Sequence, residues 1–154
     1  MINVAVLGHG TIGSGVVEVL QTNAAVIAKR VGEAIAVKYI LDLRDFPGDP
    51  NADKVVHDYD IIDKDSDIQV VVECMGGVEP AYTFVKKALL NGKSVATSNK
   101  ELVAKHGAEL IAIAREKNIN FLFEASVGGG IPIVRPLLRC LTADVIEEVS
   151  GILN

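Results

Sequence analysis

Tryptophan is absent from this 154-residue chain, and its other aromatics are only three tyrosines and four phenylalanines. They do not interleave with basic residues, so the stacking surface of a nucleic-acid binder is missing. A basic excess is missing too: 15 Lys and Arg stand against 20 Asp and Glu, a formal net charge of −5. That balance excludes DNA, RNA or an anionic membrane as the main electrostatic partner. Two cysteines are too few for a disulfide framework. Cys74 and Cys140 both lie in apolar stretches and are expected to be reduced, buried thiols of a cytoplasmic protein. No apolar run approaches the ~18–20 residues of a membrane span. Met1-Ile2-Asn3-Val4 enters a strand with no basic region or cleavage site, so no signal peptide is expected. His9, His57 and His106 have no zinc-ligand spacing, and no Gly-x-Ser-x-Gly elbow occurs. There is no internal repeat and no Pro/Gly/Ser linker, which leaves one domain over residues 1–154.

What remains is rich in apolar residues (49%, against 23% charged), arranged as strand alternating with helix. Ile2 to Leu7 is a continuous apolar run, the pattern of a strand buried on both faces. Ile12, Val16, Leu20, Ala24, Ile27 and Val31 recur at helical spacing, so one long helix is expected to end near Gly32. Ile35 to Leu41 alternates as a second strand. The stretch from Asp42 to Asp67, with Pro47, Gly48 and Pro50, reads as a solvated loop carrying at most short elements. Ile68 to Val72, Ser94 to Thr97 and Ile119 to Phe123 are the next strands. Between them lie a helix after Pro80 that stops at Asn91-Gly92 and a helix bearing Leu102, His106, Leu110 and Ile113. A helix opened by Pro132 and a last strand from Val145 to Leu153 close the chain. Strands joined by helices of this length predict an α/β fold: a doubly wound, mainly parallel sheet with helices on both faces.

Gly8-His9-Gly10-Thr11-Ile12-Gly13 is a G-x-G-x-x-G sequence placed directly between the first strand and the first helix. The first glycine permits the tight turn, the second a close approach to pyrophosphate, and the third close helix–strand packing. Backbone N–H groups and the dipole at the helix start then favour phosphate charge. This is the signature of a Rossmann-type dinucleotide site, with Gly8, Gly10, Thr11, Ile12 and Gly13 against the cofactor. His9 is expected to face solvent or cofactor, and Gly15 to serve packing. An acid ending the second strand takes the adenosine ribose hydroxyls, whereas an arginine takes a 2′-phosphate. Asp42 and Arg44 are both there, so NAD and NADP stay open.

Three further segments fall at strand ends: Glu73-Cys74-Met75-Gly76-Gly77, Thr97-Ser98-Asn99-Lys100-Glu101 and Phe123 to Pro132. Ser98-x-x-Glu101 also reads as a capping box, with Ser98 as N-cap. Lys100 sits in the first turn of that helix, against the dipole. Together with the glycine turn, these segments resemble the nucleotide-binding region of homoserine dehydrogenase, over essentially the whole chain. The Glu-Ala-Ser-Val-Gly-Gly-Gly-Ile-Pro stretch is their most specific part. The resemblance implies hydride transfer between NAD(P)(H) and aspartate semialdehyde or homoserine, in a full-length enzyme expected to be a homo-oligomer. It places Met75, Gly76, Ser98 and Lys100 at the cofactor, with Lys100 catalytic. It also implies a sodium ion held by the Glu124 side chain and the carbonyls of Val127, Gly129 and Ile131. The family's groups for gripping the substrate's amino end follow this region, so the chain alone is expected to bind cofactor and turn over poorly. Rival readings are the cofactor domain of another semialdehyde or imine reductase, and a non-catalytic dinucleotide sensor. Assays in the presence of a substrate region separate them.

Overall fold

The computed structural model describes residues 1–151. Its strands are β1 (Ile2–Leu7), β2 (Ile35–Leu41), β3 (Val55–Val56), β4 (Ile68–Glu73), β5 (Ser94–Thr97) and β6 (Phe121–Leu122). They form one sheet in the order β3-β2-β1-β4-β5-β6, and every pairing is parallel. The chain therefore runs outward from β1 to one edge and then crosses back to β4 to build the other half. Dinucleotides bind across the crevice at such a reversal, outside the carboxyl ends of the strands. Those ends are level: Leu7 pairs with Leu41 on one side and Glu73 on the other, and Glu73 pairs with Thr97.

Alternation along β1 divides the core in two. Val4 and Val6 pack with Val37, Ile40 and Val17 on one face. Ala5 and Leu7 join Val71, Val85, Leu89, Val95, Leu102 and Leu110 on the other. The first face is covered by α1 (Thr11–Thr22), the second by α3 (Tyr59–Lys64), α4 (Ala81–Leu90) and α5 (Lys100–Glu116). The doubly wound sheet with helices on both faces is thus borne out. No described helix is long and apolar enough to cross a membrane.

Four expectations need correction. The expected long helix is two: α1 stops at Thr22, and α2 spans Ala24–Val31. Asn23 sits between them at φ −100° and ψ 15°, outside the helical range that asparagine fills poorly. The polar stretch is more than solvated surface, because Asp58 caps α3 by accepting from the Asp60 N–H, and Tyr59 and Ile62 enter the core. The Tyr59 hydroxyl donates to the Phe84 carbonyl at 2.8 Å and the two rings stack. No strand forms over 145–151, where Val145 and Val149 are exposed; Leu153 lies outside the described residues. A strand needs an edge to pair with, and β6 offers two residues. Cys140, finally, is exposed: α7 (Val134–Cys140), which follows the single-turn α6 (Ala125–Gly128), buries none of its residues. Cys74 is half-buried, and burial together with the Glu73 charge pushes its thiol up to about 12, so it stays protonated at neutral pH.

Candidate dinucleotide-binding site

Each glycine of the turn between β1 and α1 has a separate physical duty. Gly8 has φ +94°, a conformation that favours glycine, and its carbonyl sits under Gly13. A Cβ on Gly13 would stand 1.8 Å from the Gly8 carbonyl oxygen. At Gly10 a Cβ would meet nothing within 4 Å, so the backbone there faces open space. No side chain caps α1, which leaves its first N–H groups available to an anion. Gly15 also has open space around it and is not a packing contact.

A cavity of about 500 Å³ lies over this turn. Of the expected residues, it brings together Gly8, Gly10, Asp42, Arg44, Met75 and Gly76. Thr11, Ile12 and Gly13 sit beside it in the turn and the start of α1; Ser98 and Lys100 sit at the next strand end, and none of these five lines it. Sequence reasoning missed its apolar wall of Leu41, Leu43, Tyr59, Pro80 and Phe84, and also His57 and Cys74. The signal was present in Asp58-Tyr59-Asp60-Ile61-Ile62, an N-cap followed by apolar residues at helical spacing.

Asp42 and Arg44 are partners rather than alternatives. The Arg44 Nε and Nη2 donate to the two Asp42 carboxylate oxygens at 3.0 and 3.1 Å. Asp42 also accepts from the backbone N–H of His9 at 2.9 Å, which ties the glycine turn to the end of β2. The Arg44 guanidinium beside it holds the Asp42 carboxyl well below the usual carboxylate range. Arg44 itself is largely exposed and lies 5.1 Å over the Phe46 ring. His9 faces neither solvent nor the cavity: its ring is buried, edge-on to Phe46, with Nε2 3.1 Å from an Asp49 oxygen.

A model described as homoserine dehydrogenase, NAD-binding domain, matches residues 8–124. The chain belongs to that family. It is 42% identical to homoserine dehydrogenase of Bacillus subtilis and 42% identical to that of Pseudomonas aeruginosa, each match covering 99% of this chain and 36% of the relative. A crystal structure of homoserine dehydrogenase from Thiobacillus denitrificans superposes with a TM-score of 0.83 at 40% identity, over 92% of this chain and 33% of that one. The chain thus spans about a third of the length of the relatives it matches.

Within this homoserine dehydrogenase domain, the cap of α5 is Asn99, not Ser98. The Asn99 side chain accepts from the Leu102 N–H at 3.1 Å, which makes Lys100 the first helical residue, exposed to solvent. Ser98 instead donates its N–H to the Glu73 carbonyl at 3.3 Å. Gly77 has φ +73° and serves the turn, while Gly76 borders the cavity.

Glu124 immediately precedes the short helix α6, and its carboxylate reaches over to the start of α7, where it accepts the N–H groups of Ile133, Val134 and Arg135. Each carboxylate oxygen thus accepts at least one N–H, and the Val127, Gly129 and Ile131 carbonyls expected beside it belong to the segment between Glu124 and α7. Partial desolvation pushes the Glu124 carboxyl up, but the three backbone bonds outweigh it and its pKa is lowered. A lowered pKa gives stability that is present above the unfolded value of roughly 4.3 and lost as pH falls through the folded one. Acidification from pH 6 to pH 3 is therefore expected to release this cap first. Protection factors at Ile133, Val134 and Arg135, corrected for the slower intrinsic exchange in acid, should fall before those in β1 or β4; a simultaneous fall would show that the cap does not act locally.

Proposed function

We propose that this chain binds NADP(H) in preference to NAD(H) and serves hydride exchange between L-homoserine and L-aspartate 4-semialdehyde. The observation that carries the proposal is the single cavity that joins the glycine turn to Arg44 on one side and to Met75 and Gly76 on the other. An open Gly10 and an uncapped α1 suit a pyrophosphate, and the apolar wall of Leu41, Leu43, Pro80 and Phe84 suits an adenine. Both Asp42 oxygens already accept hydrogen bonds, two of them from Arg44 Nε and Nη2, and the donors left for the ribose end are the remaining N–H groups of the Arg44 guanidinium. These suit the 2′-phosphate of NADP better than two hydroxyls.

The dinucleotide, when bound, supplies the hydride in its reduced form and accepts it in its oxidised form. The chain's own residues orient and polarise. Backbone N–H groups at the start of α1 neutralise phosphate, and the Met75–Gly77 turn and the start of α5 flank the reacting end. Lys100, on this reading, holds the substrate oxygen as charge develops there. On this reading the groups that grip the amino acid come from the remaining length seen in the relatives, and the 154 residues bind cofactor without ordinary turnover of homoserine.

Calorimetric titration of NAD and NADP into the chain and into Arg44→Ala tests the proposal. A charge-assisted contact is worth roughly 1.5–3 kcal/mol, so NADP affinity should fall about ten- to a hundredfold. NAD affinity should hold steady or rise, because Asp42 is then free to meet the ribose hydroxyls. Equal losses for both dinucleotides would remove Arg44 from cofactor choice.

A further inference from the structure

At the centre of the sheet one carboxylate has no place in the chemistry described above. Glu73, the last residue of β4, is fully buried, and it stands level with Leu7 on one neighbouring strand and Thr97 on the other. A buried carboxylate carries a large desolvation penalty unless donors surround it, and here they do. Its Oε1 accepts the Met75 N–H at 2.7 Å, and its Oε2 accepts the Thr97 hydroxyl at 2.5 Å. The Asn99 amide nitrogen lies 3.5 Å from Oε1.

Each of these partners reaches a further loop. Thr97 Oγ1 accepts the Asn99 N–H at 2.9 Å, and the Asn99 side-chain amide donates to the Gly77 carbonyl at 2.6 Å. Asn99 also caps α5 through the Leu102 N–H, so the same network sets the first helical residue, Lys100. The turn after β4 and the turn after β5 are thereby fastened to each other and to one buried charge. Among the described residues, none of these hydrogen bonds reaches Asp42 or Arg44.

We propose that Glu73 is a positioning residue for the nicotinamide half of the cofactor. It fixes the separation between the Met75–Gly77 turn and the start of α5, the two walls between which that half sits. The inference rests on the dinucleotide reading above. Dinucleotides lie across the strand ends, with the adenosine ribose at the end of the second strand. The other half therefore lies over β4 and β5, directly above this network.

An isosteric amide cannot replace the carboxylate. In Glu73→Gln the amide NH2 must face either the Met75 N–H or the Thr97 hydroxyl. The first choice sets two donors against each other; in the second, Thr97 must accept twice, leaving its own proton without a partner. A buried unpaired donor of this kind weakens the fastening by an amount worth about tenfold or more in binding.

The test compares whole cofactor with its adenosine half. NADH and NADPH, and separately ADP-ribose and 2′-phospho-ADP-ribose, are titrated into the chain, Glu73→Gln and Thr97→Val. We expect both variants to bind the reduced dinucleotides about tenfold or more weakly, with ADP-ribose and its phosphorylated form unchanged within about twofold. Thr97→Val decides the matter if Glu73→Gln does not fold. Equal weakening of whole and half ligands, or no weakening of either, overturns the role of Glu73. If the unsubstituted chain binds neither dinucleotide, the functional reading itself has failed, and the two failures are told apart.

Discussion

Gly13→Ala will cost the fold about 3 kcal/mol or more and remove dinucleotide binding. The added Cβ would lie 1.8 Å from the Gly8 carbonyl oxygen and 2.9 Å from the Gly8 carbonyl carbon. Both are backbone atoms, and Gly8 is itself held at φ +94° with its N–H donating to the Leu41 carbonyl at 2.8 Å. Neither partner has a flexible end that can move aside, so α1 must lift away from the turn. Overpacking of this kind ordinarily costs about 1–3 kcal/mol, and the clash with backbone puts this case at or above that range. Urea unfolding reads the stability change as a lower midpoint at unchanged slope. Lifting α1 also removes its N–H groups from the pyrophosphate, so calorimetry should detect no NADPH binding. The control is Gly15→Ala, two residues further along the same helix with nothing near its Cβ position. There alanine should raise stability by about 1 kcal/mol. Equal destabilisation by the two would show that the close approach at Gly13 is not the cause.

That contrast between two glycines marks where sequence stops informing. G-x-G-x-x-G identifies Gly13 because the motif encodes a local turn, whereas the spacing gives Gly15 no distinct duty, and nothing packs against its Cβ position. β1, β2, β4 and β5 were legible for the same reason: buried parallel strands are short apolar runs bounded by turn residues. Expectation failed wherever a distant partner decides the local choice. Ser98 and Asn99 are both good N-caps, and the S-x-x-E pattern favours Ser98. Asn99 takes the position because Thr97 and Gly77 hold its backbone and side chain from outside the helix. Asp42 and Arg44 were each visible, but their pairing needed the turn of chain after β2. Glu73 reads as one acid closing an apolar run, and only the level register of β1, β4 and β5 reveals that its carboxylate faces donors from two loops.

Lys100→Ala should slow homoserine oxidation by about a hundredfold or more in a homoserine dehydrogenase that carries this sequence, while leaving NADPH affinity within about twofold. Lys100 is the first residue of α5, which Asn99 caps, and it is exposed to solvent. A cation there opposes the helix dipole, which is unfavourable by about 0.3–1 kcal/mol. Removing it should therefore make the protein slightly more stable at low ionic strength, with the gain fading as salt screens the dipole. The two effects have opposite signs, and a purely structural lysine cannot produce that combination. Its charge matters to the rate only if it meets an oxygen whose negative charge grows in the transition state, so kcat and kcat/KM should fall together. Lys105→Ala, further along the same helix and also exposed, should leave the rate unchanged. If Lys100→Ala keeps its rate, or loses cofactor affinity in step with it, the lysine holds cofactor or nothing, and the polarising group must be sought in another part of the enzyme.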